Sequence, residues 1–277
     1  MATQSDFYLY HYTTAEGLIG IIEQREIWTT DIFYLNDSKE FRWAIDLARR
    51  QLRTWKDLPA RCESMAMALP DVGPLQRCPV YVCSFSEEED DLNQWRAYCP
   101  QGGFSVGLLK SKLGRVAKRQ GFDLDRCVYG SDEQTSMITD AIRSVISEGD
   151  RERVSSPPIL SLDFDELEGR WLRQAITKVA PLIKHKTFAA ENEWRLVSIT
   201  KDSESRENFG VRVRGSMVVP YRTVKLKESV WDRARIIVGP CPHVEENKVC
   251  VARLLLHSLR PETQFTVKTT STPYCYW

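Results

Sequence analysis

The residue types best suited to chemistry fall in separate stretches of the chain. His11 closes an aromatic-rich run and stands just before a helix start. Unpaired backbone N–H groups and the helix dipole collect anions at such a place, so the imidazole is a candidate ligand for a phosphate or a ribose hydroxyl. The alternative is a histidine bonded to local backbone. Glu191, Glu193 and Arg195 alternate with Asn192, Trp194 and Leu196. The two-residue period of a strand puts both carboxylates and the guanidinium on one face, as a surface ion-pair ladder or as a working site. Trp194, on the other face, would hold that strand against the core. Lys184, His185 and Lys186 lie just upstream and are candidate phosphate contacts. Ser84 and Ser86 share a face at the end of an apolar run, ahead of a helix carrying Gln94, Trp95, Arg96 and Tyr98. Ser86 reads equally as an N-cap, and Trp95 with Tyr98 as plain core.

The elements that must position these groups follow from periodicity and punctuation. Residues 7–12 predict a strand, and Thr13 with Glu16 predicts a capping box opening a helix that buries Ala15, Leu18, Ile19 and Ile22. A short strand over 27–30 leads to a polar turn, Leu35-Asn36-Asp37-Ser38-Lys39-Glu40. Asp37 and Glu40 then cap a helix with Phe41, Ala44, Ile45, Ala48 and Leu52 inward. Residues 57–78 hold Pro59, Pro70 and Pro74 and read as loop with a short helix. A buried-type strand over 79–84 precedes a helix start at Ser86-Glu87-Glu88-Glu89, where acidic residues suit the helix dipole. Gly102-Gly103 separates that helix from a strand over 104–108. A helix carrying Lys110, Lys112, Arg115, Lys118 and Arg119 follows, its charges read as a solvated face. A strand over 126–129 and helices near 131–148 and 163–184 come next, with 149–162 as a surface loop between the helices. The remainder is strand-rich (193–199, 211–213, 217–224, 235–238), then a helix over 243–259 and a last strand near 264–268. Mixed order without regular βαβ alternation predicts a single α+β domain over 1–277, built on a central split or mixed sheet with flanking helices.

Composition narrows the function classes. Thirty-eight basic and 38 acidic residues give zero net charge, which argues against a dedicated nucleic-acid or membrane-surface binder. No apolar run nears the roughly 18 residues needed to span a bilayer, and the N-terminal residues lack a secretory pattern. The expectation is a cytoplasmic protein with no membrane partner. None of the eight cysteines falls in a C-x-x-C pair, so they read as reduced thiols rather than zinc ligands. The four histidines are too scattered to form a metal site. Dinucleotide, Walker A, zincin and nucleophile-elbow motifs are absent.

The same segments resemble a bacterial family, domain-of-unknown-function family 2971. The pieces are Tyr10-His11-Tyr12-Thr13, Trp28, Leu35-Asn36-Asp37 with Glu40, and Ser84-Phe85-Ser86 with Trp95 and Tyr98. Lys186 with Glu191-Asn192-Glu193-Trp194-Arg195, and Ile236-Ile237-Val238-Gly239-Pro240, complete the set. More remotely, the order of histidine strand, S-x-S strand and E-x-E strand resembles the ADP-ribosyltransferases, in which a split sheet holds NAD. That resemblance implies NAD as substrate, an unknown protein or nucleic-acid acceptor, and the role of a bacterial toxin or phage-defence effector. It implies Glu193 as catalytic carboxylate, Glu191 orienting the acceptor, and His11 on the adenosine-side ribose. Ser84 and Ser86 would brace the cleft, and Tyr98 or Trp95 would stack on nicotinamide. Tyr12, Asn36, Lys186 and Arg195 are further candidates for contacts to the ligand. The superfamily's usual tyrosine has no clear counterpart, because Tyr12 faces away from His11 in a regular strand. The Asn36-Asp37-Glu40 turn has no standard role in that site. Two rival readings use the same residues. One is a metal-dependent nuclease built on His11, Asp37, Glu40, Glu191, Glu193 and Lys186. The other is a non-enzymatic sensing or interaction module.

Overall fold

The computed structural model describes residues 6–35, 38–56, 59–69, 79–155, 163–199 and 208–273. The strands are β1 (Tyr8–Thr13), β2 (Glu26–Asp31), β3 (Val80–Ser86), β4 (Phe104–Leu109), β5 (Asp123–Arg126), β6 (Glu193–Ile199), β7 (Phe209–Arg214), β8 (Met217–Lys225), β9 (Ala234–Val238) and β10 (Phe265–Thr269). The helices are α1 (Ala15–Gln24), α2 (Ser38–Thr54), α3 (Pro59–Ala68), α4 (Leu92–Tyr98), α5 (Lys110–Lys118), α6 (Ser131–Ser155), α7 (Phe164–Val179), α8 (Glu228–Trp231) and α9 (Val244–Ser258). Short 3₁₀ turns occupy Ile32–Tyr34, Ala180–Leu182 and Lys186–Glu191.

All ten of these strands join one sheet in the order β10-β9-β4-β1-β3-β2-β8-β7, with β6 and then β5 branching from β3. Only β9–β10 is parallel, so the sheet is mixed and the expected α+β class holds. One face carries Leu9, Cys83, Phe85, Val106, Leu196 and Ile236, packed by α1, α5, α8 and α9 through Leu18, Ile22, Leu113, Trp231 and Leu255. The other face carries Val80, Val82 and Val197, covered by α2, α3, α6 and α7. There the predicted α2 stripe of Phe41, Ala44, Ile45, Ala48 and Leu52 is buried throughout. On that same second face, α4 lays Trp95 over Tyr10 and Tyr12. Apolar burial on both faces is what makes so broad a sheet stable.

Several boundaries differ from the sequence reading. The α1 cap is Thr14, whose side chain accepts from Gly17 N–H, because Thr13 is still paired in β1 opposite Phe104. Ser86 is not a helix cap: β3 runs through it, paired to Tyr10 and Glu193, and α4 starts later with Asp91 as N-cap. The strand expected over 126–129 lies at Asp123–Arg126. Residues 149–155, expected as loop, are the last turns of α6, and 156–162 lie outside the described residues. No described helix is long and apolar enough to cross a membrane.

Candidate active site

The sheet divides at β3. One edge of β3 pairs with β6 along its length, from Val80↔Ile199 to Ser86↔Glu193. The opposite edge meets β1 only at Ser86 and β2 only at Val82 and Tyr81. Cys83, Ser84 and Phe85 therefore have no strand partner on that edge, and β1 and β2 diverge around them. His11 fills part of the gap. Its Nδ1 lies 3.0 Å from the Ser84 carbonyl oxygen and 3.6 Å from Cys83 Sγ. A carbonyl can only accept, so Nδ1 carries the proton. Burial lowers the His11 pKa, against the Ser84 bond that raises it, and the ring is held neutral. Burial likewise pushes the Cys83 thiol far above its usual range, so the pair is thiol and imidazole, not a thiolate nucleophile.

The second assembly is ionic and buried. Glu193 is only 3% exposed and Arg195 not at all. Arg195 Nε donates to Glu193 Oε1 at 2.7 Å, and its Nη1 donates to the Pro181 carbonyl at 2.6 Å. Lys184 Nζ bridges the two carboxylates, bonded to Glu193 Oε2 and, at 2.5 Å, to Glu191 Oε2. Burial alone would raise the Glu193 pKa, but Arg195 and Lys184 bring it down to about 2. Burial would lower Lys184, yet Glu193 and Glu191 raise it well above the usual lysine range. The carboxylate is thus ionised deep in the protein, as paired buried charges must be. Local backbone makes this arrangement. Lys186–Glu191 is a 3₁₀ turn closed by Asn192 in the left-handed region (φ 43°), which starts β6 at Glu193. Gln134 Nε2 holds the Lys184 carbonyl at 2.7 Å, and Tyr129 Oη accepts from Glu193 N–H at 2.9 Å. Neither Gln134 nor Tyr129 was legible as a site residue, because no spacing or motif links them to Glu193.

The structure brings some candidates together and separates others. Register pairs Ser84 with Arg195 and Ser86 with Glu193, so all four share a face. Ser86 Oγ is engaged structurally, donating to the Glu191 carbonyl at 2.7 Å and accepting from Glu88 N–H. Tyr10 pairs with Ser86, so His11, its neighbour, lies on the opposite face from Glu193. The expected joint site of His11 and Glu193 on one surface is not formed. Tyr12 does face away from His11, but α4 covers it, and its hydroxyl donates to the Glu88 carbonyl and accepts from Asp91 N–H. Trp95 is 1% exposed and packs edge-on against Tyr12, while Tyr98 is 45% exposed, so of the two only Tyr98 can meet a ligand. Gly239 is explained here: a Cβ on it would stand 2.7 Å from the Trp95 ring. Lys186 is exposed, and Lys184 holds the carboxylates instead. Trp194 does brace the opposite face, against Phe7 and under Lys110. Asn36, Asp37 and the Glu40 side chain lie outside the described residues. Among the described residues no group of three or more His, Cys, Asp or Glu is placed to hold a metal ion. The set proposed for a nuclease is divided by the sheet, with His11 on one side and Glu193 on the other.

Comparison with known proteins agrees with the motif reading at the family level. The family model described as "Protein of unknown function (DUF2971)" matches residues 94–196, a stretch that holds Trp95, Tyr98, Lys184, Glu191, Glu193 and Arg195. This supports the family resemblance drawn from the motifs. No curated protein and no solved structure matches the chain.

Proposed function

We propose that the chain is an ADP-ribosyltransferase-like enzyme that binds NAD at the split beside β3 and cleaves its nicotinamide–ribose bond with Glu193. The observation that carries this is a buried yet ionised carboxylate on the sheet face shared with Ser84 and Ser86, one strand away from the edge of β3 left unpaired at residues 83–85. Cleavage develops positive charge at the ribose carbon as nicotinamide leaves with the bonding electron pair, and a fixed anion stabilises that charge. Lys184 is shared between two carboxylates, so Glu191 can keep the lysine while Glu193 turns to the ribose. The acceptor's nucleophile then bonds to the ribose carbon and passes its proton to the Glu191 carboxylate. In this scheme His11 is a strut for the Ser84 carbonyl rather than a ribose ligand.

A non-enzymatic module is the second reading, favoured by the mutual pairing of Glu193, Arg195 and Lys184. Incubation of the purified chain with NAD and protein, DNA or RNA acceptors separates the two. Release of nicotinamide, reduced at least about 100-fold in Glu193→Gln, is expected. Absence of NAD binding and turnover across all acceptors would leave the module reading.

A further inference from the structure

On the same sheet face as Glu193, across the split, a cation stands without a counter-charge among the described residues. Arg212 of edge strand β7 reaches back over β8 to β2. There its Nη2 donates to Thr30 Oγ1 at 2.9 Å and its guanidinium lies 5.8 Å from the Trp28 ring. Its Nε is buried with no hydrogen-bond partner. Among the described residues it has no carboxylate partner, and Arg214 on the same face adds a second positive charge. Glu26, on the same strand as Thr30, is engaged by Lys225 and by Trp28 Nε1. Burial, and then Arg214, lower the Arg212 pKa. Trp28 stacks on Tyr221, with centroids 4.2 Å apart and planes at 17°, and is 36% exposed. Arg222 also has an unbonded Nε, but it is buried on the other face against Phe122, with its Nη1 donating to Ser198 Oγ.

We infer that Arg212, with Thr30 and Arg214, binds the phosphate group of a small phosphorylated ligand whose body lies along the Trp28–Tyr221 stack. A guanidinium presents a planar fork that suits a phosphate, and an anion supplies the charge this half-buried arginine lacks. The buried Thr30 hydroxyl holds the guanidinium in place, and the exposed part of the indole gives the ligand an apolar contact. This site stands independently of whether Glu193 cleaves NAD.

The test uses the full chain with inorganic pyrophosphate and ADP as probes, read by calorimetry, thermal melting and tryptophan fluorescence. Both probes are expected to bind, to raise the melting temperature, and to do so equally in Glu193→Gln. Arg212→Gln should weaken binding at least about tenfold, with Arg212→Lys and Thr30→Val intermediate. The ligand-free melting temperature of Arg212→Gln should not fall, because the substitution removes an uncompensated charge. No binding at millimolar probe, or Arg212→Gln binding within about twofold of the native chain, would overturn the assignment. Pyrophosphate binding without NAD turnover would count against the transferase reading alone, and turnover without pyrophosphate binding against this site alone.

Discussion

Glu193 is defined by its two cations. Its ordinary pKa of 4.5 falls to about 2 in the folded chain. Its stabilising contribution is therefore complete above about pH 4.5 and is lost as pH falls towards 2, on the order of 3 kcal/mol in all. Acid unfolding of the native chain should steepen over that window, and in Glu193→Gln the steepening should be smaller by that contribution, with Asp90 keeping its own; identical acid profiles would contradict the assignment. Lys184→Met should be worse for stability than most surface changes. It strips a cation from a buried carboxylate, at a cost of about 3–5 kcal/mol in urea denaturation. His11 adds a second pH term of the same sign, since its pKa is also lowered and protonation below the usual histidine range opposes folding.

Among the elements, the packing of α3, α6 and α7 turns on one more buried carboxylate. Glu168 of α7 is fully buried, bonded by Arg61 Nε at 2.7 Å and Nη2 at 2.6 Å, and also by Arg153. It fits because α6 passes it with Gly149, where a Cβ would stand 1.9 Å from Glu168 Oε1. Gly149-Asp150 reads locally as a loop start, since glycine disfavours a helix by about 1 kcal/mol relative to alanine. The helix nevertheless continues through it, and glycine is required there because the Glu168 carboxylate and Arg61 Nη2 occupy the space a side chain would take. Gly149→Ala should thus destabilise the protein by about 1–3 kcal/mol despite its better helix propensity. A rise in the urea midpoint would show that the contact yields.

At the scale of the whole molecule, the C-terminal segment is tied back to the α4 loop. Asp90 accepts from Trp95 Nε1, Thr270 Oγ1, Ser271 N–H and Oγ, and Thr272 Oγ1. Burial would raise the Asp90 pKa, but the Thr270, Trp95 and Ser271 bonds bring it below the usual range. That one carboxylate links the tail after β10 to the helix covering Tyr12. Asp90→Ala should speed amide hydrogen exchange in residues 270–272 and in α4, leaving α6 and α7 unchanged. Unchanged exchange in the tail would show that β10 pairing alone holds it.

Local periodicity is sufficient for a good part of this structure. The α2 stripe, the β6 strand and the co-facing of Glu193 with Arg195 depend only on residues a few positions apart, and they appear as the sequence implies. The role of Lys184 could be raised from its nearness to Glu191, but the 3₁₀ turn that swings it onto both carboxylates is a tertiary product, held by Gln134 from α6. The extension of β3 through Ser86 needed partners from distant β1 and β6, since an isolated Ser-Glu-Glu-Glu run looks like a helix start. The relation of His11 to Glu193 needed most. Each residue's face within its own strand follows from alternation. That the faces oppose follows only from Tyr10↔Ser86↔Glu193, a register among strands far apart in the chain. Alternation is a property of one strand, whereas register is set by the packing of both sheet faces at once.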